Sequence, residues 1–106
     1  IPVNIERMGK IVGKMLAKSL SAFVSGDTDS AKNIITKDKE VDALNKEIRT
    51  DLILAIKQNP NSTESNLNII FIAKSLERIG DHSKNIARDA VFLFEAKDIR
   101  HPNLSK

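Results

Sequence analysis

From Ile69 to Ala90 every third or fourth position carries an apolar or small side chain: Ile69, Ile72, Ala73, Leu76, Gly80, Ser83, Ala87 and Ala90. Only an α-helix gathers that spacing into one stripe, because a strand would alternate in steps of two. A helix with one such stripe must bury it against other elements. Beside the stripe, Glu77, Asp81 and Asn85 follow at four-residue steps, so three oxygen-bearing side chains border a core-facing seam, with Lys84 and Arg88 nearby.

The rest of the chain repeats the pattern twice. Ile5, Met8, Val12, Met15, Leu16, Ser19, Leu20 and Phe23 predict a first amphipathic helix from Asn4 to about Ser25, with Arg7, Lys10, Lys14 and Lys18 on another face. That basic row is either a solvated surface or a docking strip for an acidic partner. Gly26 ends the helix, and Asp27 or Thr28 can cap the next. The second helix is expected from about Thr28 to Lys57, with a seam of Ile34, Asp38, Val41, Asn45, Ile48, Leu52 and Ala55. Gln58 to Ser62 forms a turn around Pro60, and Ser62 or Thr63 can cap a third helix running to about Ala96. The tail leaves that helix before Pro102.

A chain of 106 residues supports one domain, residues 1–106, with one core. Three helices with short connections predict an all-α, antiparallel three-helix bundle. Four Phe and no Tyr or Trp imply packing through aliphatic side chains. The net charge of +3 is dispersed and lacks interleaved stacking aromatics, which argues against a nucleic-acid partner. The absence of Cys excludes disulfides, thiolate metal sites and cysteine catalysis. The longest apolar run, Ile69 to Ala73, is far short of the roughly 20 residues of a membrane span, so a soluble protein is expected. A chain opening on Ile1 without Met reads as a fragment or a trimmed piece, with no signal-peptide pattern.

The antiparallel arrangement brings two acid pairs together. Counted from Pro60, Asp42 lies roughly 18 residues back and Asp81 roughly 21 forward, which at about 1.5 Å per residue puts them at similar heights. Asp38 with Asp42 and Glu77 with Asp81 then make four carboxylates on adjacent helices. Such oxygen donors suit hard cations such as magnesium, manganese or ferric iron, with Asn85 able to add a carbonyl ligand. Asp38 has no Lys or Arg three or four residues away, so a partner must come from elsewhere: a bound cation or a basic residue of another helix. Lys74, Arg78 and Lys84 can pair with Glu77 and Asp81 at three-residue offsets. His82 points about 100° from Asp81 around the helix and reads as a bundle-edge residue, and His101 carries no assignment. No nucleophile elbow, phosphate loop or His-Glu metalloprotease pattern occurs, so an enzyme is not expected.

The run Leu76-Glu77-Arg78-Ile79-Gly80-Asp81-His82 with Asn85-Ile86-Ala87, closing on Asp98-Ile99-Arg100-His101, resembles the PhoU family of bacterial phosphate-transport accessory and regulatory proteins. Lys37-Asp38-Lys39-Glu40-Val41-Asp42-Ala43-Leu44 is similar to that family's other acidic motif, and Met15-Leu16 through Ala22-Phe23 to its opening pattern. The resemblance implies a three-helix bundle holding iron or zinc, with Asp38, Asp42, Glu77 and Asp81 as ligand candidates. It also implies a cytoplasmic negative regulator of the phosphate-starvation response. Such a regulator connects the ATPase of the phosphate ABC transporter with a membrane-bound sensor histidine kinase, at the inner membrane face through these partners. The alternative is a PhoU-like domain cut from a larger sodium-phosphate cotransporter.

Two features depart from the family pattern. The family usually carries two bundles in tandem, whereas this chain has one, most similar to the second, and a homodimer imitating the tandem is expected. Arg88 stands where an acid is frequent, which would thin the metal cluster.

Overall fold

The computed structural model describes residues 2–100. Three helices account for nearly all of them: α1 (Val3–Ser25), α2 (Thr28–Gln58) and α3 (Thr63–Arg100). Among the described residues there is no strand, so the all-α expectation holds. The exit of the chain before Pro102 and the position of His101 lie outside the described residues. α3 continues past the expected end at Ala96 to Arg100, because nothing between those positions breaks a helix.

The connections follow from local chemistry. Gly26 closes α1 in the left-handed region (φ 77°), its N–H bonded to the Ala22 carbonyl. A side chain there would also crowd the Phe94 ring, since a Cβ would lie 3.1 Å from it. Asp27 caps α2 by accepting the Ser30 N–H, which holds its carboxyl below the ordinary carboxylate range. After α2, Pro60–Ser62 makes a single 3₁₀ turn. The Ser62 and Thr63 hydroxyls donate back to the carbonyls of Asn59 and Pro60, in place of the cap expected from them.

The molecule is a rod of 66 × 16 × 15 Å. α1 and α2 run antiparallel, with Asn4 donating to Glu47 and Arg7 beside Glu40. α2 and α3 do the same, with Lys84 opposite Asp38 and Glu95 opposite Lys32. The core is a seam in steps of three and four. On α1 it is Ile5, Met8, Val12, Met15, Ser19 and Ala22; on α3 it includes Ala73, Gly80, Ser83, Ala87 and Ala90. A strict seven-residue repeat of this kind is the geometry of helices packed at a shallow angle. A Cβ at Gly80 would lie 3.5 Å from both Val12 and Val41, an ordinary contact, so α3 packs there against both other helices.

Several expected core positions fall elsewhere. Leu20 and Phe23 are half exposed while Ala22 is buried, because the seam continues from Ser19 by a step of three. On α2, Leu44 takes the buried position and Asn45 is only half-buried. On α3, Ile72 is 50% exposed while its neighbour Ala73 is buried. The core selects small residues where the helices come closest and leaves larger ones on the flanks.

Candidate metal centre

The flank of α2 facing α3 carries Asp38 and Asp42, and the flank of α3 facing α2 carries Glu77 and Asp81. Together with Arg78 and Lys84 they line an open cleft of about 290 Å³. Both acid pairs therefore line one cleft between neighbouring helices. Asn85, one turn further along α3, is exposed and does not line the cleft. His82 is exposed on the bundle surface.

The cleft already contains a cation. Lys84 Nζ donates to Asp38 Oδ2 at 2.8 Å and lies 3.3 Å from Asp81 Oδ1. Its side chain is 19% exposed and that of Asp38 is 11% exposed, so this is a largely buried pair. The hydrogen bond to Asp38 raises the Lys84 ammonium above its ordinary value of 10.5, against the opposing effect of burial and with Asp81 adding to the rise. Glu77 is engaged separately: its Oε2 accepts from the Asn45 amide at 3.0 Å. Asp38, which lacks a cation on its own helix, thus finds one in Lys84 across the groove.

Oxygen donors from two helices fit a hard cation in kind. In place, the fit is conditional on Lys84 leaving, since the ammonium stands between Asp38 and Asp81. Among the described residues no three His, Asp or Glu side chains are grouped as a metal site.

Lys84 and Asn45 are the two residues whose roles spacing alone does not decide. The signal for Lys84 is its position seven residues after Glu77, on the same row of α3, and three after Asp81. The heptad spacing places Asn45 in the core seam, whereas its half-buried amide faces Glu77.

Comparison with known proteins bears directly on these motifs. The model of the PhoU domain family matches residues 5–90, which takes in both acidic motifs. The chain belongs to the PhoU family. It is 36% identical over 104 residues to the phosphate-specific transport system accessory protein PhoU homolog of Pseudomonas aeruginosa, covering 98% of this chain and 43% of that protein. It is 33% identical over 99 residues to the accessory protein PhoU of Escherichia coli, covering 93% of this chain and 41% of that one. The crystal structure of PhoU from Pseudomonas aeruginosa superposes with a TM-score of 0.84 at 36% identity, over 86% of this chain and 44% of that chain. The chain thus spans less than half the length of these PhoU relatives.

PhoU membership agrees with the helical bundle. Among the described residues no helix is long and apolar enough to cross a membrane.

Proposed function

We propose that this chain is the non-catalytic working part of a regulator of phosphate uptake and phosphate-starvation signalling. It acts in the cytoplasm through contacts with the ATPase of a phosphate ABC transporter and with a sensor histidine kinase. The observation that carries this reading is the PhoU match over residues 5–90, supported by relatives named as phosphate-transport accessory proteins. Deleting the gene should raise alkaline phosphatase output in phosphate-rich medium; unchanged output in the deletion strain would end the reading.

The metal component rests on Asp38, Asp42, Glu77 and Asp81, without Asn85, binding iron, zinc, magnesium or manganese. A cation there would neutralise carboxylates that Lys84 now neutralises in part, so metal and ammonium compete for the same oxygens. Elemental content of protein purified without chelator is the test. Wild type should carry more metal than Asp38→Ala or Asp81→Ala, and Lys84→Met more than wild type. Equal content in all four proteins would dispose of the metal proposal and leave the regulatory one standing.

A homodimer is proposed on the third side of the rod. Ile72, Ile79, Ile86 and Leu93 are seven residues apart on α3, on the flank opposite to Glu77 and Lys84. On α1, Leu16 and Phe23 form the corresponding row. Phe23, Ile72, Ile79 and Leu93 are between 38% and 50% exposed. An apolar strip of that length on a rod is unfavourable in water and suits a second helical face. Sedimentation at micromolar concentration should give a dimer that Ile72→Asp with Ile79→Asp dissociates; a wild-type monomer would refute it.

A further inference from the structure

The α1/α2 groove, on the other side of α2 from the acidic cleft, has no part in the reading above. Three adjoining cavities run along it. The central one, about 220 Å³, is floored by Ile11, Met15 and Ile34 and walled by Lys14, Lys18 and Lys37, with Glu40 as its acid. A cavity of about 290 Å³ continues it past Arg7 and Lys10 towards Val3. A third, about 140 Å³, continues it past Asn33 to Ser25 and Asp27.

The charges in this groove are unevenly matched. Glu40 is shared by Arg7 at 3.5 Å and Lys37 at 3.7 Å. Among the described residues Lys10, Lys14 and Lys18 make no ion pair. They stand four residues apart on one row, where like charges repel one another. The acids at the ends, Glu6 and Asp27, lie beyond the central cavity, and Asp27 is occupied as the cap of α2.

We infer that the α1/α2 groove is a docking site for an acidic amphipathic helix of a partner protein. The groove follows α1 over its 23 residues, about 34 Å at 1.5 Å per residue, which accommodates about six turns of a helix. An incoming helix would set its apolar side chains on the half-buried Ile11 and the aliphatic stems of Lys14 and Lys18, above the buried Met15 and Ile34, and its flanking carboxylates would meet Lys10, Lys14, Lys18 and Lys37. This is the helix-in-groove mode, with charge complementarity setting orientation and rate of encounter. A lipid surface is the weaker match, because the apolar atoms form a concave floor below the lysines and not a convex ridge above them. The inference stands apart from the phosphate-uptake reading, and either can fail without the other.

The test uses this chain and a fluorescein-labelled amphipathic peptide of about 20 residues, with Leu at helical spacing and Glu on both flanks. Its counterpart carries Lys for every Glu. Anisotropy titrations should show saturable binding of the acidic peptide only, weakening as salt rises. Amide shifts should change around Ile11, Met15 and Ile34. Lys14→Glu with Lys18→Glu should weaken binding at least tenfold with a thermal midpoint no lower than that of the wild type, while Lys57→Glu, outside the groove, should leave it within twofold. Equal binding of the two peptides, no binding of the acidic one, or an unaffected double variant would overturn the proposal. So would a groove engaged only by phosphatidylglycerol vesicles, or one closed by a second copy so that the double variant turns a dimer into a monomer.

Discussion

Helix α2 has a charged groove on each side, and the two handle their charge in opposite ways. Towards α3, Asp38 sits buried and receives an ammonium from the neighbouring helix. Towards α1, three lysines on one row stand in solvent and, among the described residues, make no ion pair. The first arrangement is internal to the fold: a buried charge needs its partner whether or not anything binds. The second is not required by the fold, since separate ammonium groups in water need no partner to stay charged. A buried pair therefore reports on stability, and an unmatched exposed row reports on what approaches from outside.

The largest expected effect breaks the acidic side. Lys84→Met keeps the length of the side chain and removes the cation, leaving Asp38 largely buried and unpaired. Urea unfolding should show a loss of about 2–4 kcal/mol. The same substitution at Lys14 should cost less than about 0.5 kcal/mol, as at other exposed sites. Similar losses at the two positions would erase the distinction between the grooves. Under the metal proposal, manganese or zinc should recover part of the loss in Lys84→Met, because the freed carboxylates would then hold the ion instead.

How much of this could be read in advance differs between backbone and side chains. The three helices and the two connections between them followed from apolar spacing, Gly26 and Pro60, whereas the end of α3 lay four residues beyond its expected place. The common height of the two acid pairs followed from counting residues out from the turn. What spacing did not decide was which of two neighbours entered the core. Ala22 and Phe23 both stand at helical distance from Ser19, one by three residues and the other by four. On α3 the competing neighbours were Ile72 and Ala73, and the close-packed seam took the smaller one.

The candidate site was legible to about one helical turn and no further. Sequence put four carboxylates together but left open whether a metal or a lysine neutralised them, since that depends on which flank of α3 meets α2. The basic groove was half visible: the row on α1 was apparent, whereas the floor of Ile11, Met15 and Ile34 and the opposing Lys37 needed the packing of α2.

An intermediate effect sharpens the comparison by pH. Pairing raises the Lys84 ammonium above its ordinary value of 10.5. A group held more basic in the folded state stabilises that state fully below its unfolded value, and the contribution disappears as pH rises through the folded one. The stability difference between wild type and Lys84→Met should therefore be constant around neutrality and shrink above pH 10.5. A difference that persisted undiminished at still higher pH would mean that packing of the lysine stem, and not its charge, joins α2 to α3.

The smallest expected effect has the opposite sign. Lys14 stands four residues from both Lys10 and Lys18, so it is subject to two like-charge contacts that each cost a few tenths of a kcal/mol. Lys14→Glu replaces both repulsions with attractions and should stabilise the bundle by up to about 0.5 kcal/mol in low salt, a gain that screening removes at high salt. Thermal unfolding at two salt concentrations measures it. A gain in stability accompanied by weaker binding of the acidic peptide would identify the row as a surface maintained against a folding cost for the sake of a partner. A loss above about 1 kcal/mol would instead make Lys14 part of the packing between α1 and α2, and the two grooves would then differ only in sign.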